Sequence, residues 1–173
     1  MRTTLTFAIL LILTACSNKV TSPKYPDIKW EKYKGTEESI KKYLDDNKDN
    51  LDPIEGIYSI SSNQSEKFFL GLFTDTKKTD DFARVAIIKE NQSFSAQFIE
   101  VIIRGEDLPK YAKTADFTRV QRSLSYLSRQ FSPDGQFANY AFEYDESSGS
   151  LEGHKKDGDV TSKLLYLKLY PVK

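Results

Sequence analysis

The chain has 173 residues, 25 basic and 25 acidic side chains, and therefore a formal net charge of zero, with one cysteine and one histidine. This balance disfavours a nucleic-acid binder, which normally carries a basic excess on one face. Zinc sites draw mainly on cysteine and histidine, and a serine or cysteine nucleophile commonly needs a neighbouring base, so a single histidine argues against both kinds of site. We therefore expect no metal, no other cofactor and no nucleic-acid partner.

The amino-terminal segment has the three parts of a bacterial lipoprotein signal peptide. Arg2 supplies a positive start, residues 5–13 are mostly apolar, and a small residue, Ala15, precedes Cys16. The apolar run is too short to cross a bilayer as a helix of the mature protein, and a small residue suits a cleavage site. The sequence Leu13-Thr14-Ala15-Cys16 resembles the lipobox of bacterial lipoproteins.

This resemblance implies that residues 1–15 are removed and that Cys16 is acylated. In that family the cysteine thiol receives a diacylglyceryl group, and the new amino terminus is usually acylated, commonly with palmitate. By analogy with the sorting rule of enteric bacteria, Ser17 allows transfer to the outer membrane. We expect a protein of the bacterial cell envelope, anchored by Cys16 to the outer membrane and facing the periplasm. An ordinary secretory signal, cut nearby, would instead leave a free thiol.

A tether and one helix are predicted before the main domain. Residues 16–35 are polar and contain two prolines, which is typical of a linker behind a lipidated cysteine. Residues 36–50 are predicted to contain a short helix, with Thr36 as N-cap and two glutamates in the first turn. Its apolar residues recur at helical spacing: Ile40, Tyr43 and Leu44. This narrow stripe predicts that one side of the helix packs on a sheet.

Residues 51–173 show the short apolar period of β-strands and are predicted to form one β domain. The predicted strands are Ile54–Ser61, Lys67–Phe73, Phe82–Lys89, Gln97–Arg104, Phe137–Tyr144 and Ser162–Tyr170. The predicted turns are Thr74–Asp81, Gly105–Pro109, Pro133–Gly135, Asp145–Ser150 and Glu152–Asp159.

Residues 117–131 fit two interpretations. Their apolar side chains recur three or four residues apart, as on an amphipathic helix. Their serines weaken a helix, and the Pro133–Gly135 turn favours a hairpin with a first arm at about Ser123–Phe131. We favour the strand. Seven or eight short strands then predict a mainly β fold, a small antiparallel meander or barrel, with an open sandwich as the main alternative.

The segment Glu55-Gly56-Ile57-Tyr58 resembles the glycine-x-aromatic opening of lipocalin-like barrels, with Tyr58 in the place of the usual tryptophan. The opening and the closing Leu167–Pro171 segment are also similar to uncharacterised bacterial lipoproteins. In lipocalin-like barrels the glycine lets the first strand bend and the aromatic ring plugs the closed end. The resemblance implies an interior that holds an apolar ligand, lined by Phe68, Leu70, Phe98, Ile102, Phe142 and Leu167. From the residues alone, Gly56 marks a bulge and Tyr58 is ordinary core.

Three functions stay open, because an eight-stranded barrel is either filled by its side chains or holds one small ligand. The first is a non-enzymatic, lipid-anchored protein that binds an apolar small molecule or an envelope protein. The second is a structural or protein-interaction lipoprotein with a filled core. The third, a hydrolase, would need His154 or a carboxylate pair. We place His154 in an exposed turn and Glu55 at an exposed strand position, and we interpret Asp75, Asp80 and Asp81 as a solvated loop. We favour a non-enzymatic protein.

Overall fold

The computed structural model describes residues 36–68, 73–102, 110–131 and 137–171. Within them, one helix precedes eight strands: α1 (Glu37–Asp46), β1 (Gly56–Phe68), β2 (Phe73–Glu90), β3 (Ser93–Val101), β4 (Lys113–Arg119), β5 (Ser125–Phe131), β6 (Phe137–Asp145), β7 (Ser150–Asp157) and β8 (Val160–Tyr170). The strands pair antiparallel in chain order and β8 pairs with β1, which closes a barrel. The predicted helix and lipocalin-like barrel are confirmed, and the open sandwich is wrong. The predicted lipobox and tether lie outside the described residues.

Closure of the barrel depends on the absence of a side chain at Gly56. A Cβ at this position would lie 2.5 Å from the carbonyl oxygen of Tyr170 on β8. The pairing of β1 with β8 also shifts register between Ile57 and Tyr58. A glycine at a close backbone approach beside such an irregularity is a recurrent feature of strands. The register shift beside Gly56 fits the interpretation that this glycine marks a bulge, whereas the bend implied by the resemblance stays a prediction.

The first hairpin is longer than predicted. The chain pairs continuously from Ser62 with Thr79 to Phe68 with Phe73. The predicted strand Lys67–Phe73 is therefore wrong, and the predicted turn Thr74–Asp81 belongs to β2. The reason is that this part of β2 is exposed along almost its whole length, so it lacks the alternation of apolar and polar residues that identifies a half-buried strand.

Two elements in the second half of the chain also need correction. Residues 117–131 form no helix, and the predicted hairpin arm is confirmed as β5, which pairs with β4. The helical spacing arises because two strands meet at a turn within residues 120–124. The predicted turn Glu152–Asp159 is wrong for most of its length, because its first residues belong to β7 and the turn itself lies at residues 158–159.

The helix α1 covers part of the outside of the barrel. Its buried side chains, Ile40 and Leu44, pack against outward-facing residues of β1, β2 and β3: Ile57, Ala86, Ile88 and Ile99. Thr36 caps the helix by accepting a hydrogen bond from the backbone N–H of Ser39. The predicted N-cap and the predicted packing of one helix side on a sheet are both confirmed. Among the four described ranges, no helix is long and apolar enough to cross a membrane.

Candidate functional site

The interior of the barrel is where the resemblance placed a ligand, and two of the proposed lining residues lie there. Phe98 and Phe142 are buried in the main hydrophobic cluster. Leu70 lies outside the described residues, as does the side chain of Phe68, whose backbone ends β1. The position of Phe98 and Phe142 is compatible with a lining role, which stays a prediction.

Ile102 and Leu167 do not line the interior, since their side chains are 52% and 48% exposed. Leu167 follows Tyr166 on β8, and Tyr166 is buried inside the barrel, so strand alternation turns Leu167 outward. Ile102 follows the last residue of β3. The sequence did not reveal this orientation because one face of β8 carries leucine and tyrosine and the other carries three leucines.

Three aromatic rings from different strands meet at the centre of the barrel. The ring of Phe117 on β4 lies 5.2 Å from that of Phe142 on β6, and Phe142 lies 5.4 Å from Tyr166 on β8, between centroids. Both pairs are edge to face, an arrangement that aromatic quadrupoles favour. The hydroxyl of Tyr166 donates to the side-chain amide oxygen Oε1 of Gln130 at 3.1 Å. These contacts fill the central layer with side chains.

On β7 a glycine, Gly153, faces this layer and leaves space for a neighbouring ring. Gly153 is paired directly with Phe142. A Cβ at Gly153 would lie 2.3 Å from two carbons of the Phe142 ring, well inside van der Waals contact. The ring therefore occupies the space that an inward side chain of β7 would take.

One end of the barrel is closed by Tyr58 and the segment that precedes β1. The Tyr58 hydroxyl donates to the Ile54 carbonyl at 2.9 Å, and both residues are buried. The ammonium of Lys168 lies 5.5 Å from the centroid of the Tyr58 ring, within cation–π distance. Tyr58 is therefore part of the buried core, and the plugging role that the lipocalin resemblance implies for it stays a prediction.

Asp52 ties this closing segment to β4 and β5. Its carboxylate accepts a hydrogen bond from the Tyr126 hydroxyl at 2.7 Å and forms an ion pair with the Arg119 guanidinium at 2.9 Å. Arg119 also donates to the Ser123 carbonyl at 2.6 Å. Charge-assisted hydrogen bonds of this kind are among the strongest in proteins. Asp52 is therefore engaged in the fold.

Glu55 is only 2% exposed, so its predicted exposed position is wrong. Its carboxylate accepts the Tyr43 hydroxyl at 2.7 Å and the backbone N–H groups of Asp52 and Lys89 at 2.8 and 3.0 Å. It thereby joins α1, β2 and the segment before β1. The neighbouring Gly56 and the register shift obscure strand alternation here. One sequence signal for this position was available. Glu55 follows Asp52 by three residues across Pro53, a spacing that lets its carboxylate return to the backbone N–H of Asp52.

His154 is exposed, as predicted, but it lies on β7 and not in a turn. Its Nε2 lies 2.8 Å from a carboxylate oxygen of Glu152, whose other oxygen contacts Lys163 at 2.6 Å. Hydrogen bonding from Lys163 lowers the pKa of Glu152. These three side chains form a charged cluster on the outer surface.

The three aspartates predicted to lie in a solvated loop, Asp75, Asp80 and Asp81, belong to β2, where the last two contact neighbouring side chains. Asp80 pairs with Lys78 at 2.8 Å, and Asp81 accepts a hydrogen bond from the Ser59 hydroxyl at 2.7 Å. In the part of the chain that the structure describes, no group of three or more histidine, cysteine, aspartate or glutamate side chains is placed to hold a metal ion.

The buried tyrosines make the stability of the barrel sensitive to alkaline pH. Burial raises the pKa of Tyr58, Tyr126 and Tyr166 above the ordinary tyrosine value, and at Tyr126 the Asp52 carboxylate adds to burial. A pKa that is higher in the folded state gives stability that is present below about pH 10 and is lost as the pH rises further.

We therefore expect the absorbance of tyrosinate to rise in two phases. The later phase is the ionisation of Tyr58, Tyr126 and Tyr166, which occurs only as the barrel unfolds. The free energy of unfolding, measured in urea, should fall with pH above about pH 10. A native protein in which every tyrosine titrates together at the ordinary pKa would contradict the burial of these hydroxyls.

No protein-family model matches this chain, and no curated protein is similar to it in sequence.

Proposed function

We propose that this protein is a non-enzymatic, lipid-anchored protein of the bacterial cell envelope that acts through the outer surface of a filled barrel. The observation that carries this proposal is the packing of Phe117, Phe142 and Tyr166, with the Phe142 ring against the backbone of Gly153. Protein interiors are close-packed, with few voids larger than a water molecule, so rings in mutual contact leave no room for an additional molecule in the same layer. The outer surface is then the part of the domain that meets partners.

Binding of an apolar small molecule is the second candidate. It is favoured by the closed eight-stranded barrel, a size that holds one small ligand in some proteins, and by the interior position of Phe98 and Phe142. A fluorescent fatty acid titrated into the mature chain, made without the lipid, separates the two candidates. We expect no saturable binding. Stoichiometric binding, reversed by an unlabelled fatty acid, would overturn the filled barrel and support the second candidate.

The contacts of the polar residues support a non-enzymatic role. The carboxylates of Asp52 and Glu55 accept hydrogen bonds from protein donors at the closed end. The only histidine, His154, is paired with Glu152 on the outer surface. A general base needs to lie within hydrogen-bond reach of the proton that it abstracts, usually in a site that excludes water. These groups are used for structure and for surface charge.

The Leu13-Thr14-Ala15-Cys16 sequence supports the anchor. When the full chain is produced in an enteric bacterium, we expect it in the outer-membrane fraction, with a mature amino terminus at Cys16 that carries a diacylglyceryl group and an additional acyl chain. Cys16→Ala should abolish both the cleavage and the modification. Ser17→Asp is the matched control, because it should keep the lipid but retain the protein in the inner membrane. A free, unmodified Cys16 in the secreted protein would overturn the anchor.

A further inference from the structure

The outer surface of β5 and β6 carries exposed apolar and aromatic side chains around one arginine. Tyr126 and Ser128 are buried, so strand alternation turns Leu127, Arg129 and Phe131 outward. Phe131 is paired with Phe137 on β6. We name the outward side chains the β5–β6 patch: Leu127, Arg129, Phe131 and Phe137. Leu127 and Phe137 are 59% and 57% exposed, among the most exposed large apolar side chains of the described residues.

The guanidinium of Arg129 is oriented by the aromatic rings. Its central carbon lies 4.9 Å from the Phe137 ring centroid and 5.8 Å from that of Phe131, while the two rings contact each other edge to face. Among the described residues its nearest carboxylate, on Asp116, is 3.9 Å away and therefore beyond hydrogen-bond distance. Asp116 contacts Lys113 more closely, at 2.6 Å. The Arg129 guanidinium is thus held against two aromatic rings on the surface, with only a long contact to a described carboxylate.

A shallow groove continues from the β5–β6 patch across β4. Its lining includes Ser93, Asp116, Thr118, Leu127, Arg129 and Asn139. The lining combines apolar and polar side chains. The helix α1 packs on β1, β2 and β3, and none of its residues lines the groove.

We propose that the β5–β6 patch docks an extended segment of a partner protein that carries one carboxylate between apolar side chains. The carboxylate would accept two hydrogen bonds from Arg129, the geometry for which a guanidinium is suited. The apolar side chains would cover Leu127 and Phe137. Arginine and aromatic residues are the types that dominate binding energy at protein interfaces. This inference rests on the proposed function, because it names the surface through which the filled barrel acts.

The charges in the groove favour a peptide over a membrane surface. Asp116 lies 3.9 Å from Arg129, so the described lining of the groove combines one basic and one acidic side chain and is not the basic cluster that binds the closely spaced phosphates of an anionic bilayer. The polar side chains of Ser93 and Thr118 in the groove also suit the hydrogen-bonding groups of a peptide.

The probe for this test is an acetylated and amidated peptide, Thr-Leu-Thr-Glu-Thr-Leu-Thr, whose two leucines and glutamate lie on the same face of an extended chain, with a glutamine version as the matched peptide. Titrated into the mature protein and followed by NMR, the glutamate peptide should shift amide signals of β4, β5 and β6. The affinity should fall about tenfold for the glutamine peptide, and by a similar factor for Arg129→Gln, as loss of a charge-assisted pair implies. Phe137→Ser should also weaken binding, whereas Lys42→Gln on α1 should leave it unchanged.

Several outcomes would overturn the inference. They are no binding of either peptide, equal binding of both peptides, and binding that Arg129→Gln leaves intact. Binding of the protein to phosphatidylglycerol vesicles through Arg129, without binding of the peptide, would assign the patch to a membrane and also overturn it. These failures are separable from failure of the proposed function, because the fatty-acid titration examines the interior and uses none of the patch residues. Unchanged urea stability of each variant ensures that a loss of binding is not a loss of folding.

Discussion

Replacing Gly153 with alanine should lower the free energy of unfolding by about 2–3 kcal/mol, the upper part of the range for an overpacked core. The added Cβ would lie 2.3 Å from the ring of Phe142. That ring is already in edge-to-face contact with Phe117 and Tyr166 at centroid distances of 5.2 and 5.4 Å, so it has no adjacent space to enter. Urea denaturation measures this loss, provided that the slope of the free energy of unfolding against urea concentration is the same for the variant and the parent.

A double variant tests whether the clash is the cause. Phe142→Leu destabilises by itself because it leaves a void, but it also makes room for a methyl group at Gly153. Gly153→Ala combined with Phe142→Leu should therefore lose less stability than the sum of the two single changes. Gly158→Asn, in the β7–β8 turn where a Cβ meets no atom within 4 Å, is the control and should change stability little. In a hollow barrel the ring would turn inward, and Gly153→Ala would cost less than about 0.5 kcal/mol.

Glu55→Leu should cost about 3–5 kcal/mol, since three donors would lose a buried, charged acceptor. The carboxylate accepts bonds from the Tyr43 hydroxyl and from the N–H groups of Asp52 and Lys89. Leucine is of similar size but offers no acceptor, so both backbone groups would remain unpaired at a buried site. Chemical denaturation, monitored by circular dichroism, gives the change in the free energy of unfolding.

Two further variants locate the origin of this effect. Tyr43→Phe removes one donor and leaves the carboxylate with its backbone partners, so its cost should be about 1 kcal/mol. Glu55→Gln keeps one acceptor oxygen but presents an N–H₂ group to a donor, and its cost should lie between the other two. A Glu55→Leu protein as stable as the parent would contradict the role of Glu55 as a shared acceptor at the closed end.

Much of the fold could be predicted from the sequence where one face of an element is apolar and the other polar. The helical stripe of Ile40 and Leu44 identified α1 and its packing side, and both residues are fully buried. The inward turn of Tyr166 and the outward turn of Leu167 could not be predicted, because β8 carries apolar residues on both faces. The strand β7 was missed for a different reason. Its inward position at Gly153 is filled by Phe142, a contact between residues far apart in the chain.

The closed end and the β5–β6 patch show the same limit. The burial of Glu55 depends on donors from α1 and from Lys89 on β2, which no local pattern reveals. Leu127 and Phe131 were recognisable as apolar residues at regular spacing, but their outward direction depends on the pairing of β5 with β4 and β6. Local spacing shows where apolar residues recur, whereas the pairing register of the strands determines which of those residues lie on the surface.

Native mass spectrometry tests the filled barrel most directly. The mature chain, made in bacteria without the lipid and purified without denaturant, would be weighed under native and then under denaturing conditions. A filled barrel predicts the same mass in both conditions, namely that of the polypeptide alone. An additional mass of a few hundred daltons, present in the native spectrum and released on unfolding, would contradict it and establish a ligand inside the barrel.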